Sequence, residues 1–309
     1  MRQTVLIVGD VMVDHYIYGV SHRLSPEAPV PVVEVENEDS VLGGAANVAA
    51  NVAALGGRAI LIGLTGDDKE ARTLHRLARQ AGIECLFETN IDRRTTQKTR
   101  VVSGRQQIVR FDREDVTPPD DATLRRVLYQ IDSVRSSIDA VILSDYGKGM
   151  FLREGNFNKA IYGNAVVIVD PKTPRYWSYC PPGCVLKPNR QEAEAEWGER
   201  IRSDTDALRI AEALRQRVRA NATYITFGER GGVLAAADNE PVMVPTSSVA
   251  VFDPTGAGDV VAAALAVGLG EGMSVLQAVQ FANSVAGVAV AQPGTSVVRV
   301  RPAQEVRGS

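Results

Sequence analysis

Short apolar runs alternate along the chain with stretches whose apolar residues recur every three or four positions. The runs at 4–8, 59–64, 139–143, 165–169, 184–187 and 223–227 read as buried strands. Helical periodicity falls at 44–55, 68–81, 120–132, 190–197, 204–218, 257–269 and 274–290. Strand and helix in turn argue for a mainly parallel sheet with helices on both faces, because parallel neighbours need crossover connections that helices supply. Two stretches, 16–42 and 84–112, carry strand signals with no helix inside them. The first holds Pro29-Val30-Pro31-Val32-Val33-Glu34-Val35, an alternating run whose two prolines suit an edge strand. The second holds Thr99-Arg100-Val101-Val102 and Gln107-Ile108-Val109-Arg110-Phe111 around Ser103-Gly104-Arg105-Gln106, the pattern of a hairpin. These stretches predict a small antiparallel sheet standing off the main one. Being marginal alone, it must lean on a ligand or a partner chain. The expected architecture is a three-layer α/β sandwich, a single domain over 1–309, with a β lid built from segments about 16–42 and 84–112.

Composition narrows the classes of function. Charge is nearly balanced, 34 Lys and Arg against 37 Asp and Glu for a net −3, which excludes the basic profile of a general nucleic-acid binder. Aromatic residues are only 6%, too few for base-stacking platforms. Three cysteines in 309 residues exclude a disulfide scaffold and suit a reducing, cytoplasmic setting. The longest apolar run, near Val260–Leu269, is short for a membrane span and interrupted by Gly268. The N-terminal Val5-Leu6-Ile7-Val8 ends at Gly9-Asp10 as a buried strand does, not as a leader. Neither nucleic acid nor membrane is therefore expected as a partner. Lysine is scarce, six against 28 arginines. Lys98, Lys148, Lys172 and Lys187 lie beside the segments that carry chemistry, where a point charge can meet phosphate; a coding preference for arginine explains the scarcity equally well.

The most informative segment is Asp253-Pro254-Thr255-Gly256-Ala257-Gly258-Asp259, which runs into the apolar helix that starts at Val260. Two glycines in a tight turn expose backbone N–H groups at a helix N-terminus, an anion site. Asp259 falls in the first turn, where the helix dipole favours the carboxylate. Amides for a transferring phosphate and a carboxylate for an acceptor hydroxyl together fit phosphoryl transfer; an ordinary strand-to-helix turn with a capping Asp is the plainer reading. The dinucleotide fingerprint fails, because Val261 stands where Gly or Ala is required. The P-loop fails as well, because Gly147-Lys148 is followed by Gly149. In Gly43-Gly44-Ala45-Ala46-Asn47 the glycines admit close backbone approach and the Asn47 amide can meet sugar hydroxyls, unless the segment serves only helix–sheet packing. Asp10 and Asp14 flank the end of the first strand, where open α/β sheets bind ligands, and Asp14 is a candidate for sugar hydroxyls. Asn189-Arg190-Gln191-Glu192 is a helix-capping pattern that can also carry Asn189 to phosphate and Glu192 to Mg²⁺ through water. Thr226-Phe227-Gly228-Glu229-Arg230-Gly231-Gly232 reads as a hairpin turn or as a ledge for a nucleotide. Cys180 and Cys184 lack a second ligand pair and read as structural, and His15, His22 and His75 form no metal or triad pattern.

Gly43-Gly44-Ala45-Ala46-Asn47 and then residues 253–259, in that chain order, resemble the N-terminal and C-terminal signatures of the ribokinase-like (PfkB-type) carbohydrate kinases, with the likeness running from Gly9 to about Thr295. A narrower resemblance, to the heptose-7-phosphate kinases of that family, rests on Ser25-Pro26-Glu27-Ala28-Pro29-Val30-Pro31-Val32, Ser144-Asp145-Tyr146-Gly147-Lys148-Gly149, Asp170-Pro171-Lys172 and Gly294-Thr295-Ser296. The resemblance implies a ribokinase-like fold with a β lid, and ATP with Mg²⁺ as cofactors; a monovalent cation stays open. It implies phosphorylation of the anomeric C1 hydroxyl of D-glycero-β-D-manno-heptose 7-phosphate to the 1,7-bisphosphate, on the route to ADP-heptose for the lipopolysaccharide core. By the same likeness Asp259 is the base and Gly256, Ala257 and Gly258 the anion hole. Asn189, Arg190, Gln191, Glu192, Thr226, Gly228, Gly231 and Asn283 would serve ATP, with Glu192 reaching the metal through water. Asp14, Gly43, Gly44, Asn47, Lys98, Arg100, Arg110, Asp145 and Lys172 would serve the sugar phosphate. Arg105 and Arg175 are further cations near that group. Pro254 and Val260 depart from the family pattern, in which a residue with a backbone N–H and a Thr are common at those places. The likeness also implies a homodimer through the lid and, with the chain ending at Ser309, a separate nucleotidyltransferase in the same pathway. Two alternatives stay open: a kinase of the same fold for another sugar or a nucleoside, and a non-catalytic sugar-binding protein on that fold.

Overall fold

The computed structural model describes residues 2–151, 157, 162–172, 177, 179–246 and 255–291. Asp253, Pro254, Arg175 and Gly294-Thr295-Ser296, singled out above, lie outside the described residues.

The first strand shows why the sandwich forms. In β1 (Thr4–Gly9) every residue is buried. Val5 and Ile7 enter one apolar cluster and Leu6 and Val8 the other, so alternate side chains feed the two faces. Parallel strands flank it on both sides: β4 (Arg58–Thr65) and β8 (Ala140–Ser144). Outward from β4 lies β5 (Glu84–Thr89). Outward from β8 lie β9 (Val166–Asp170), β10 (Val185–Leu186) and β11 (Ala222–Thr226), and then the antiparallel pair β12 (Gly232–Ala236) and β13 (Asn239–Val244). One face is covered by α1 (Ala45–Ala54), α2 (Lys69–Gln80), α6 (Ala257–Gly270) and α7 (Val275–Ala289). The other is covered by α3 (Asp121–Val134), α4 (Arg190–Trp197) and α5 (Asp204–Arg217). These helices and the parallel strands match the sequence periodicity closely. The three-layer fold with a mainly parallel sheet is as expected.

The second sheet is a four-stranded lid in the order β3-β2-β6-β7. Its strands are β2 (Val11–Leu24), β3 (Pro31–Gly44), β6 (Thr96–Ser103) and β7 (Gln106–Arg113), and the proline-bearing β3 is an edge strand. The lid boundaries expected from sequence need correction. The lid begins at Val11, directly after β1. Its second segment begins at Thr96, because residues 84–89 form β5 and pair in parallel with β4 in the main sheet. Strand periodicity marks the run but cannot say which sheet it joins; the β4–α2–β5 crossover decides that.

Chain order reverses at β1, which runs on to β4 and β5 on one side while β8 and its successors lie on the other. The carboxyl ends at such a switch point form a crevice, and Asp10 stands there. Its carboxylate accepts backbone N–H bonds from Tyr146 and Lys148, each 2.9 Å, and from Met150 at 3.2 Å. Its carbonyl accepts the Ala45 N–H at 3.0 Å, the first amide of α1. The chain enters α1 through Gly44 at φ 57° and ψ −136°, a conformation reserved for glycine. A Cβ there would lie 2.5 Å from the Asp10 carbonyl oxygen and 2.6 Å from Met12 Cε. Gly44→Ala should therefore cost about 3 kcal/mol or more, from backbone strain and the clash together, read as a lower urea midpoint at unchanged slope.

Candidate active site

Asp259 lies in the first turn of α6 and faces the crevice. The helix follows Gly256, held at φ 81°, and among the described residues no side chain caps its first amides. Amides at a helix N-terminus are groups that can meet an anion. The Asp259 carboxylate is gripped on both oxygens. Asn47 Nδ2 donates to Oδ2 at 2.6 Å, and the Tyr146 hydroxyl donates to Oδ1. Asn47 is itself oriented from one turn on, where Asn51 Nδ2 donates to its carbonyl at 2.9 Å and its Oδ1 at 3.4 Å. The helix dipole suggested an easily ionised Asp259; burial outweighs it and pushes the pKa up, against the two hydrogen bonds and the nearby Lys187 ammonium.

A cavity of about 550 Å³ opens beside Asp259. It gathers segments far apart in sequence: Ala257 and Gly258 of α6, Asn189 to Glu192 at the start of α4, and Thr226 and Gly228 after β11. Asn189 and Glu192 form a reciprocal capping box, Glu192 N–H to Asn189 Oδ1 at 2.9 Å and Asn189 N–H to Glu192 Oε2 at 2.8 Å. Lys172 reaches Glu192 Oε1 at 3.4 Å. Gly228 begins the short turn that links β11 to β12 and lines the cavity; Gly231, which ends it, does not. The Arg190 guanidinium is held by Glu194 at 2.9 Å and by the Ile201 carbonyl.

Asn283 behaves differently from the expectation that set it beside a nucleotide. It is buried outside the cavity lining, accepting from Tyr224 OH at 2.6 Å and donating to Pro245 O at 3.2 Å and to Val244 O at 3.4 Å. It ties α7 to the β11–β13 edge. Asp145 lines the cavity, yet its oxygens serve the protein: Oδ1 accepts from Gly147 N–H at 2.7 Å, and Oδ2 from Tyr179 OH at 3.0 Å and Lys172 N–H at 3.4 Å.

Strand register explains the lid. Asp14 on β2 pairs with Lys98 on β6, which pairs with Asp112 on β7; Tyr16 pairs with Arg100, which pairs with Arg110. Cross-strand partners share a face, so Asp14, Lys98, Arg100 and Arg110 stand together. Arg100 donates to Asp14 Oδ1 at 2.6 Å and lies 5.3 Å over the Tyr16 ring. Arg110 is clamped by Asp112 at 2.9 Å on both oxygens. Lys148 pairs with Glu114 at 2.7 Å. Lys98 makes no ion pair among the described residues, and burial with the Lys148 and Arg110 charges pulls its pKa down. Gly43 leaves room for Asp14, since a Cβ there would lie 2.6 Å from Oδ2. Arg105 is exposed between the two hairpin strands.

Two functional candidates escaped the motif reading. Lys187 is 2% exposed, pairs with Asp170 at 2.9 Å, and lies 3.7 Å from where a Gly258 Cβ would stand. Its scarcity and position after β10 were its only signals. Tyr146 lies inside a segment the resemblance had flagged, but nothing in the sequence aims its hydroxyl at Asp259. Burial holds the Asp170 carboxyl up at about 7, partly offset by Lys187. Mg²⁺ commonly takes one or two carboxylates plus water and phosphate, and Glu192 supplies a carboxylate in the cavity lining.

Residues 2–300 match the family model described as pfkB family carbohydrate kinase. The chain belongs to that family, and is by membership a sugar kinase, a phosphotransferase to an alcohol. Among its relatives is the bifunctional protein HldE of Caulobacter vibrioides, 44% identical over 301 residues, covering 96% of this chain and 62% of the relative. The bifunctional protein HldE of Vibrio parahaemolyticus is 41% identical over 99% of this chain and 64% of its own length. The chain thus spans less than two thirds of these relatives. In fold it is similar to phosphofructokinase-2 of Escherichia coli in complex with potassium, with TM-score 0.78, 19% identity, and 96% and 95% of the two chains covered. Ribokinase of Thermotoga maritima gives TM-score 0.68 at 20% identity, covering 96% and 97%.

Burial and the nearby Asp10 carboxylate raise the Asp145 pKa to about 6. A raised carboxyl contributes stability below its unfolded pKa and loses it as pH climbs through the folded value. Asp145→Asn, which cannot ionise, should therefore gain on the wild type by about 2 kcal/mol between pH 4 and pH 7. Urea unfolding of both proteins at the two pH values measures the difference.

Proposed function

We propose that this chain phosphorylates the anomeric C1 hydroxyl of D-glycero-β-D-manno-heptose 7-phosphate, with ATP as donor. The observation that carries the reading is the placement of Asp259 in the first turn of α6, lining the cavity that Asn189, Glu192 and Gly228 share, with Asp14 of the lid acting on it. Asp259 takes the proton of the hydroxyl as its oxygen bonds to the γ-phosphorus, and ADP leaves. The N–H groups at 256–258 and the Lys187 ammonium hold charge on the transferring group, which makes catalysis chiefly positioning and electrostatics. Glu192 would hold Mg²⁺ through water, and the ion when bound neutralises phosphate charge. Asn189, Thr226 and Gly228 form the ledge for the nucleotide.

The sugar side rests on Asp14, Gly43, Gly44 and Asn47. For the 7-phosphate, Lys98 is the favoured cation, because it makes no close ion pair among the described residues, although Asp14 and Asp112 act on it. A dianion held by charge-assisted bonds is the physical requirement there. The narrower sequence resemblance supports the heptose assignment, and the similarity to proteins named bifunctional supports a second activity acting next in the pathway. By that resemblance the second activity is a nucleotidyltransferase. Among the described residues no helix is long and apolar enough to cross a membrane, and Cys85, Cys180 and Cys184 are free thiols, as a reducing compartment permits. The lid leaves Val35, Val109 and Phe111 exposed, which supports pairing of lids in a homodimer.

The test is ADP release with Mg²⁺-ATP, comparing heptose 7-phosphate with heptose, ribose, fructose 6-phosphate and adenosine, in potassium and in sodium buffers. Only the heptose phosphate should turn over well; preference for another acceptor would overturn the heptose assignment. Asp259→Asn should lose about 10³-fold in kcat with ATP binding retained. A variant as active as wild type would remove Asp259 as base.

A further inference from the structure

The carboxylate that must accept a proton already accepts two hydrogen bonds, and the two donors differ in kind. Asn47 reaches Oδ2 from the first turn of α1. Tyr146 reaches Oδ1 from the loop after β8, is half-buried, and lines the cavity itself. That loop has no regular structure of its own. It is fixed by the Asp10 carboxylate, which accepts the N–H groups of Tyr146, Lys148 and Met150. The same residue's carbonyl holds the first amide of α1, the helix that carries Asn47. Both donors are thus aimed from one point at the end of β1.

We propose that Tyr146 is a positioning residue for phosphoryl transfer, holding the Asp259 carboxylate in one orientation and tempering its basicity through the bond to Oδ1, with Asp10 acting through it. The inference rests on the reading of Asp259 as base. A hydrogen bond donated to a carboxylate favours its ionised form. It therefore works against the burial that pushes Asp259 up and keeps the base available at lower pH. Burial beside Asp259 holds the Tyr146 phenol protonated, so it remains a donor across the working range. A tempered base suits a hemiacetal hydroxyl, which gives up its proton more readily than an ordinary alcohol. Among the described residues five groups bear on Asp259 from the elements around it: Asn47 from α1, Tyr146 from the loop after β8, Lys187 from the segment after β10, Asp170 from β9 and Asp14 from β2. Substituting Tyr146 alters one of the five and leaves the others in place.

The experiment is the pH dependence of kcat/KM for the full chain with Mg²⁺-ATP and its best acceptor sugar. Tyr146→Phe keeps the ring and removes the donor. Its acid limb should move to higher pH by about one unit, a tenfold change in the proton affinity of the base, with KM for ATP unchanged. Replacing Tyr146 by 3-fluorotyrosine makes a stronger donor and should move the limb the other way. A purely structural role would lower kcat at every pH and leave the limb in place; an unmoved limb in both variants overturns the proposal. Should Tyr146→Phe fail to fold by thermal melting, the fluorotyrosine protein decides alone. Asp259→Asn separates the two levels. Full activity in that variant overturns the base assignment itself, whereas loss of its activity with unmoved limbs in the Tyr146 variants overturns only the role of Tyr146.

Discussion

Four backbone hydrogen bonds to one residue organise this molecule. The main-chain oxygen of Asp10 starts α1, and its two carboxylate oxygens hold the 146–150 loop. The residue is 5% exposed, so each acceptor is used where water cannot compete. It lies at the reversal of strand order, the one place where the carboxyl ends of β1 and β8 part. The crevice, the helix that brings Asn47 and the loop that brings Tyr146 all depend on that anchor. The lid starts one residue later, at Val11, so its first strand is continuous with the anchor.

The electrostatics of the crevice follow from crowding acids around few bases. Asp145, Asp170 and Asp259 are all pushed up in pKa, each chiefly by burial. Nucleotide and sugar phosphate would add further negative charge. Lys187 is the buried counter-charge, and its pKa is held up by Asp170, Glu192 and Asp259 despite desolvation. The α6 amides offer partial positive charge without a titrating group. On the lid Arg100 is paired with Asp14 and Arg110 with Asp112. Those pairs shape the sheet face, and Lys98 stands on it beside Asp14 and Asp112.

Sequence patterning by itself determined the layers. Alternation in β1 and the near-continuous apolar runs of β4 and β8 require burial on both faces, and helical periodicity assigns the cover. The turn at Gly256-Ala257-Gly258 and the capping pair Asn189 and Glu192 were legible because their local chemistry is written in neighbouring residues. Tertiary structure alone decided three matters. It assigned residues 84–89 to the main sheet, because an apolar run does not name its partner strand. It gave Asp145 and Asn283 the protein donors Tyr179 and Tyr224, because partners 34 and 59 residues away leave no local signal. And it set Tyr146 and Asn47 on opposite oxygens of Asp259, across 113 and 212 residues of chain. Local sequence fixes φ, ψ and burial; which distant donor meets which acceptor is settled only when the strands take their order.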